Sequence, residues 1–171
     1  MSTGLAIFTM FHVTISLIAI GSGFVVLFGL LKGKEFPGWT ETFLATTVAT
    51  SVTGFMFPVH HFMPSHAVGI ISLIVLSLAL FARYRRRLEG AWGPVYVITA
   101  MIALYLNVFV LVAQAFMKIP ALKSLAPTGS EPPFAISQLA VLVSFIALTV
   151  VAAIRFRGQP QWPRQVSTPL A

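Results

Sequence analysis

Cysteine is missing from this chain altogether, and Asp and Glu together number four in 171 residues. The first absence excludes disulfides and thiolate metal ligands in any compartment. The second excludes paired-carboxylate chemistry and the usual proton-coupled transporter, which relies on acids placed inside its spans. Charged residues of both signs make up 9% of the chain, against about a quarter in a soluble domain. A water-facing surface cannot be built from so few. Phosphate-cradling glycine loops, a serine nucleophile elbow, the H-E-x-x-H zinc motif and a C-x-x-C-H haem attachment site are also absent. No internal repeat is visible. No Lys or Arg precedes the first apolar run, so no secretory signal is read there.

What is present is apolar mass: 57% of residues are hydrophobic and the mean hydropathy is +0.92. That composition predicts an all-α integral membrane bundle. Five spans are expected, at residues 6–31, 40–57, 65–82, 93–116 and 134–154, forming one domain over 1–154. Residues 155–171 read as a polar, proline-bearing cytoplasmic tail without structure. The net charge of +7 does not suggest nucleic-acid binding, because the cations sit at the ends of apolar runs. With five spans, Lys32, Lys34, Arg83, Arg85, Arg86, Arg87, Arg155, Arg157 and Arg164 share one side. Only Lys118 and Lys123 occupy the other. The positive-inside rule then predicts an external N-terminus and a cytoplasmic C-terminus. The 83–87 arginines read as topology signals and contacts to anionic lipid.

Against this background the four histidines stand out. His60, His61 and His66 belong to the hairpin 54–69, and His12 lies inside the first span. His12, Ser16, Ala19 and Gly23 follow at spacings of four, three and four, so they share one helix face. Small residues let helices approach closely in lipid, so that face is expected to point into the bundle. An ionisable group within a span is a functional candidate by default. Imidazole ligates haem iron, copper and zinc. A bis-histidine haem b would use His12 and His66, with Gly69 making room. His60 or His61 would be an alternate ligand, since consecutive helical residues face apart. Copper is a rival because Met1, Met10, Met56, Met63 and Met117 gather on the same side. A quinone is another, with Asn107 and Gln114 as donors and Phe55, Phe57 and Phe62 packing its ring. Ser16, Asn107, Gln114, Gln138 and Glu131 complete the set of polar candidates.

Each reading has a plainer alternative. A neutral His12 bonded to Ser16 or a carbonyl would be satisfied, the methionines would be packing, and Asn107 and Gln114 would bind helix to helix. The second span, with Thr42, Thr46 and Thr50 at four-residue intervals, is expected at the middle of the bundle. Two functions follow. One is a redox or metal-binding module, haem b first, serving electron transfer with other membrane or periplasmic redox proteins. The other is a cofactor-free accessory or assembly subunit of a larger membrane complex, and an oligomer is compatible with both.

The segments TTVATSVTGF (46–55), ALYLNVFV (103–110) and LAPTGSEPPF (125–134) resemble a family of small bacterial inner-membrane proteins, over residues 12–156. The resemblance implies a bacterial inner-membrane location. It brings no activity and no functional residue with it.

Overall fold

A chain immersed in hydrocarbon must satisfy each backbone N–H and C=O internally, and helices do so within one segment. In a computed structural model, residues 3–57 and 64–156 are described, and every element among them is helical. They are α1 (Thr3–Leu31), α2 (Pro37–Gly54), α3 (Pro64–Leu80), a π-helical turn (Phe81–Arg85), α4 (Trp92–Lys118), a short α5 (Pro120–Leu125) and α6 (Pro132–Arg155). Four of the helical segments are long and apolar enough to cross a membrane: Thr3–Leu31, Ser65–Arg85, Trp92–Lys118 and Pro132–Arg155. This is a multi-pass helical membrane protein. The anticipated hairpin residues His60, His61, Phe62 and Met63, and the tail 157–171, lie outside the described residues.

The five long helices alternate in direction, and α4 takes the centre by touching the other four. Its buried face runs Tyr96, Val97, Ala100, Met101, Ala103, Leu104 and Val108. The threonine pattern predicts α2 at the middle; instead α2 packs chiefly between α1 and α3. The reason lies on the two surfaces. The α4 stripe is apolar and small enough to be surrounded. Glu41 and Thr42, in contrast, leave one side of α2 exposed. The small-residue face of α1 does point inward: Ala19 is fully buried, and Gly23 lies against Phe43 and Leu104.

The α1–α2 connection is set by one glycine. Gly33 adopts a positive φ of 65°, its N–H donates to Leu30 O at 3.0 Å, and Lys34 N–H donates to Gly29 O at 2.9 Å. That pair of bonds is the Schellman ending of a helix, which favours glycine at this position. The guanidinium of Arg155 donates to Leu31 O at 3.1 Å, placing a cation at the negative end of α1.

Candidate functional site

At one end of the bundle α1 presents His12, about 13 Å along the helix from Thr3 at 1.5 Å per residue. The ring is half-buried and faces protein. Its Nδ1 lies 2.8 Å from Thr53 Oγ1, its Cε1 would lie 3.8 Å from a Cβ added to Gly54, and the edge of Phe57 packs on it at 5.1 Å. The Thr53 hydroxyl has one proton and gives it to Ala49 O at 2.8 Å. With the Thr53 hydroxyl turned to that carbonyl, Nδ1 of His12 is the donor of the pair. In the neutral ring this leaves the lone pair on Nε2, which has no hydrogen-bond partner among the described residues. Fixing one imidazole nitrogen as a donor so that the other is available is how proteins orient a ligating histidine.

His66, on the second residue after Pro64, meets the same stretch of α2 from α3. Its ring stacks on Phe55 at 5.7 Å and 18°. Phe55 also fills the space beside Gly69, where an added Cβ would stand 2.8 Å from the Phe55 ring. The room that Gly69 creates is thus taken by a protein side chain in this arrangement. Among the described residues no group of three or more His, Asp or Glu side chains is placed to hold a metal ion.

The other candidates divide cleanly. Ser16 donates to His12 O at 2.7 Å and lies 3.4 Å from Thr50 Oγ1. Asn107 Nδ2 donates to Thr47 Oγ1 at 3.3 Å, joining α4 to α2. Buried Gln138 Nε2 donates to Phe109 O at 3.1 Å, joining α6 to α4, while its Oε1 has no partner among the described residues. Both amides behave as interhelical links. Gln114 is exposed. Glu131 organises the turn before α6. Its carboxylate accepts from Thr128 N–H at 2.9 Å, Thr128 Oγ1 at 2.9 Å and Ser130 N–H at 3.1 Å. The Thr128 amide above all holds this carboxyl below its ordinary range.

A second polar cluster, at the opposite end, escaped the sequence reading. Arg83 does not face lipid: it is 5% exposed and forms an ion pair with Glu35 at 2.5 Å. Its guanidinium also lies over the rings of Tyr84 and Tyr96, at 5.6 and 5.7 Å. Among the described residues, Arg83 Nε and Tyr96 Oη, the latter beside Thr40, have no well-formed hydrogen bond. Burial pushes the Glu35 carboxyl above its ordinary value, and the charge of Arg83 pulls against that. The sequence held the signal. Ser72, Leu76, Ala79 and Arg83 follow at four, three and four, so Arg83 continues the buried stripe of α3. Beyond it the chain turns sharply, with positive φ at Arg87 and Leu88. Arg86 and Trp92 pair there at 5.0 Å.

Compared with protein-family models, with curated proteins and with solved structures, the chain matches none.

Proposed function

We propose that this chain is a five-span bacterial inner-membrane protein whose outer end binds a redox centre, haem b first, through His12 Nε2. The fifth span is α2. Its 18 residues extend about 27 Å, close to the hydrocarbon thickness of about 30 Å. Thr42, Thr46 and Thr53 give their hydroxyl protons to carbonyls in the preceding turn, which lowers the cost of a polar helix in lipid. With α2 spanning, Lys32, Lys34, Arg83, Arg85, Arg86, Arg87 and Arg155 lie on one side and Lys118 and Lys123 on the other. The positive-inside rule then favours an external N-terminus.

The observation that carries the reading is the inward-facing His12 ring, oriented by the 2.8 Å contact of its Nδ1 with Thr53 Oγ1. With the Thr53 proton on Ala49 O, Nδ1 donates to Thr53 and the half-buried ring has the Nε2 electron pair to offer. That pair suits a metal. His66 is the second ligand, and Phe55 must leave the space beside Gly69 for a porphyrin to enter. His60 and His61 keep their place as alternates.

The same lone pair favours one second reading, a lipid-soluble quinol. A quinol O–H can donate to Nε2, whereas a quinone carbonyl cannot accept from it in this tautomer. Phe8 and Phe57, 5.0 Å apart, would pack its ring.

The test is the absorption spectrum and metal content of protein purified in detergent. A Soret band lost in His12→Ala and shifted in His66→Ala supports haem. Colourless, metal-free protein that remains so after incubation with haemin overturns the haem reading. Quinol binding abolished by His12→Ala would then favour the second. Absence of both would leave a cofactor-free accessory subunit.

A further inference from the structure

A recess of about 380 Å³ opens at the His12 end of the bundle, away from that histidine, where α4, α5 and α6 meet. It is lined by Ala113, Phe116 and Met117 of α4, Lys123 of α5, Gly129 of the following turn and Phe134 of α6. Its floor is apolar: Phe116 and Phe134 meet edge to face at 5.4 Å. Around it Met117, Ile119 and Leu125 are 62%, 48% and 56% exposed. Three large apolar side chains at the end of a membrane helix and on a short helix beyond it fit an element lying at the lipid interface.

We propose that this recess seats the headgroup of an anionic phospholipid, with the Lys123 ammonium on the phosphate and the first acyl carbons against Met117 and Ala113. The inference rests on the membrane placement and is independent of the redox reading at His12. Three observations select this occupant. The volume is at the lower end of the range for small-molecule sites, about 300–1,000 Å³, which suits a headgroup and not a whole lipid. Lys123 is the recess's single charged lining residue. In the neighbouring turn the Thr128 and Ser130 amides are committed to Glu131 and Pro132 and Pro133 have no N–H, so Lys123 is the cation that the recess offers an anion. Those same bonds keep the Glu131 carboxylate engaged within its own turn.

Native mass spectrometry of the full chain, purified in a neutral detergent and titrated with phosphatidylglycerol or phosphatidylcholine of identical acyl chains, tests this. Phosphatidylglycerol should bind about fivefold more tightly, the effect of one lysine near an anionic surface. Lys123→Gln should abolish that preference, whereas Lys118→Gln should retain most of it. Ala113→Phe, which fills the floor, should weaken both lipids. Inorganic phosphate should leave the phosphatidylglycerol adduct in place. Equal binding of the two lipids to the unaltered chain, or a preference that survives Lys123→Gln, overturns the proposal. Displacement by inorganic phosphate would instead identify a site for free anions and overturn it too.

Discussion

Replacing Arg83 by Ala removes one partner of a buried ion pair and strands the other. The two side chains are 4% and 13% exposed, so solvent cannot take over the role of the guanidinium. Breaking such a pair costs about 3–5 kcal/mol, whereas exposed pairs contribute about 0–1 kcal/mol. For a chain of this length that is a fall of about 10 °C in Tm. The size of the loss should depend on pH, and the sign follows from Glu35. Its carboxyl is raised by burial even with Arg83 beside it. Without Arg83 nothing opposes the rise. A carboxyl raised in the folded state stabilises that state below the ordinary carboxylate range, and its contribution disappears as pH climbs through the raised value. Arg83→Ala should therefore be most destabilised at neutral pH and recover as acid neutralises Glu35. Glu35→Leu with Arg83→Met should come back close to the original stability, because well-packed apolar pairs replace buried ion pairs at little cost. Thermal unfolding in detergent between pH 5 and 8, run as a double-mutant cycle, measures all of this. A loss under 1 kcal/mol that is flat with pH would refute the reasoning.

Two glycines on α1 give a paired packing test. Gly23→Ala would place a Cβ 2.5 Å from Leu104 Cδ1 and 3.0 Å from Phe43; both neighbours are fully buried, so a loss of about 1–3 kcal/mol is expected. Gly21 has nothing within 4 Å, and Gly21→Ala should be neutral or slightly stabilising in the same unfolding measurement. At the turn before α6, the lowered Glu131 carboxyl predicts order that is present above the ordinary carboxylate range and lost as pH falls through the lowered value. Amide exchange at Thr128 and Ser130, corrected for intrinsic pH dependence, should accelerate on that descent and be fast at every pH in Glu131→Gln.

Composition was enough to predict a helical membrane protein, and the small-residue spacing on α1 was enough to turn His12 inward. Both follow from rules that act within one helix. The position of α2 was not legible in this way. Its hydroxyls suggested a central helix, yet they are largely satisfied by their own preceding turns, so they did not require neighbours on all sides. The burial of Arg83 is hidden for the opposite reason. An arginine block looks alike whether it meets lipid phosphate or protein. Only the stripe from Ser72 through Leu76 and Ala79 distinguishes Arg83 from Arg85, Arg86 and Arg87, which are exposed. The partnership of Phe55 with His66 and Gly69 depends on how α2 meets α3, which no periodicity within either helix encodes.

The two polar ends bear on each other less than the threonine pattern of α2 implies. Its buried face reads Thr40, Phe43, Leu44, Thr47, Ser51. Near the His12 end, Ser51 Oγ donates to Ser72 Oγ at 3.0 Å and Asn107 reaches Thr47. Near the Arg83 end, Thr40 accompanies Tyr96. Between Thr47 and Thr40 the helix runs about 10 Å, and that interval is filled by Phe43 and Leu44, both essentially fully buried. Phe43 and Leu44 carry no polar atom, so the buried face of α2 has no direct hydroxyl-to-hydroxyl contact between Thr47 and Thr40. Each end has to be explained by its own contacts. At the His12 end these are a ring oriented by Thr53 with a lone pair to offer. At the other they are an ion pair that fastens the α1–α2 turn to the end of α3.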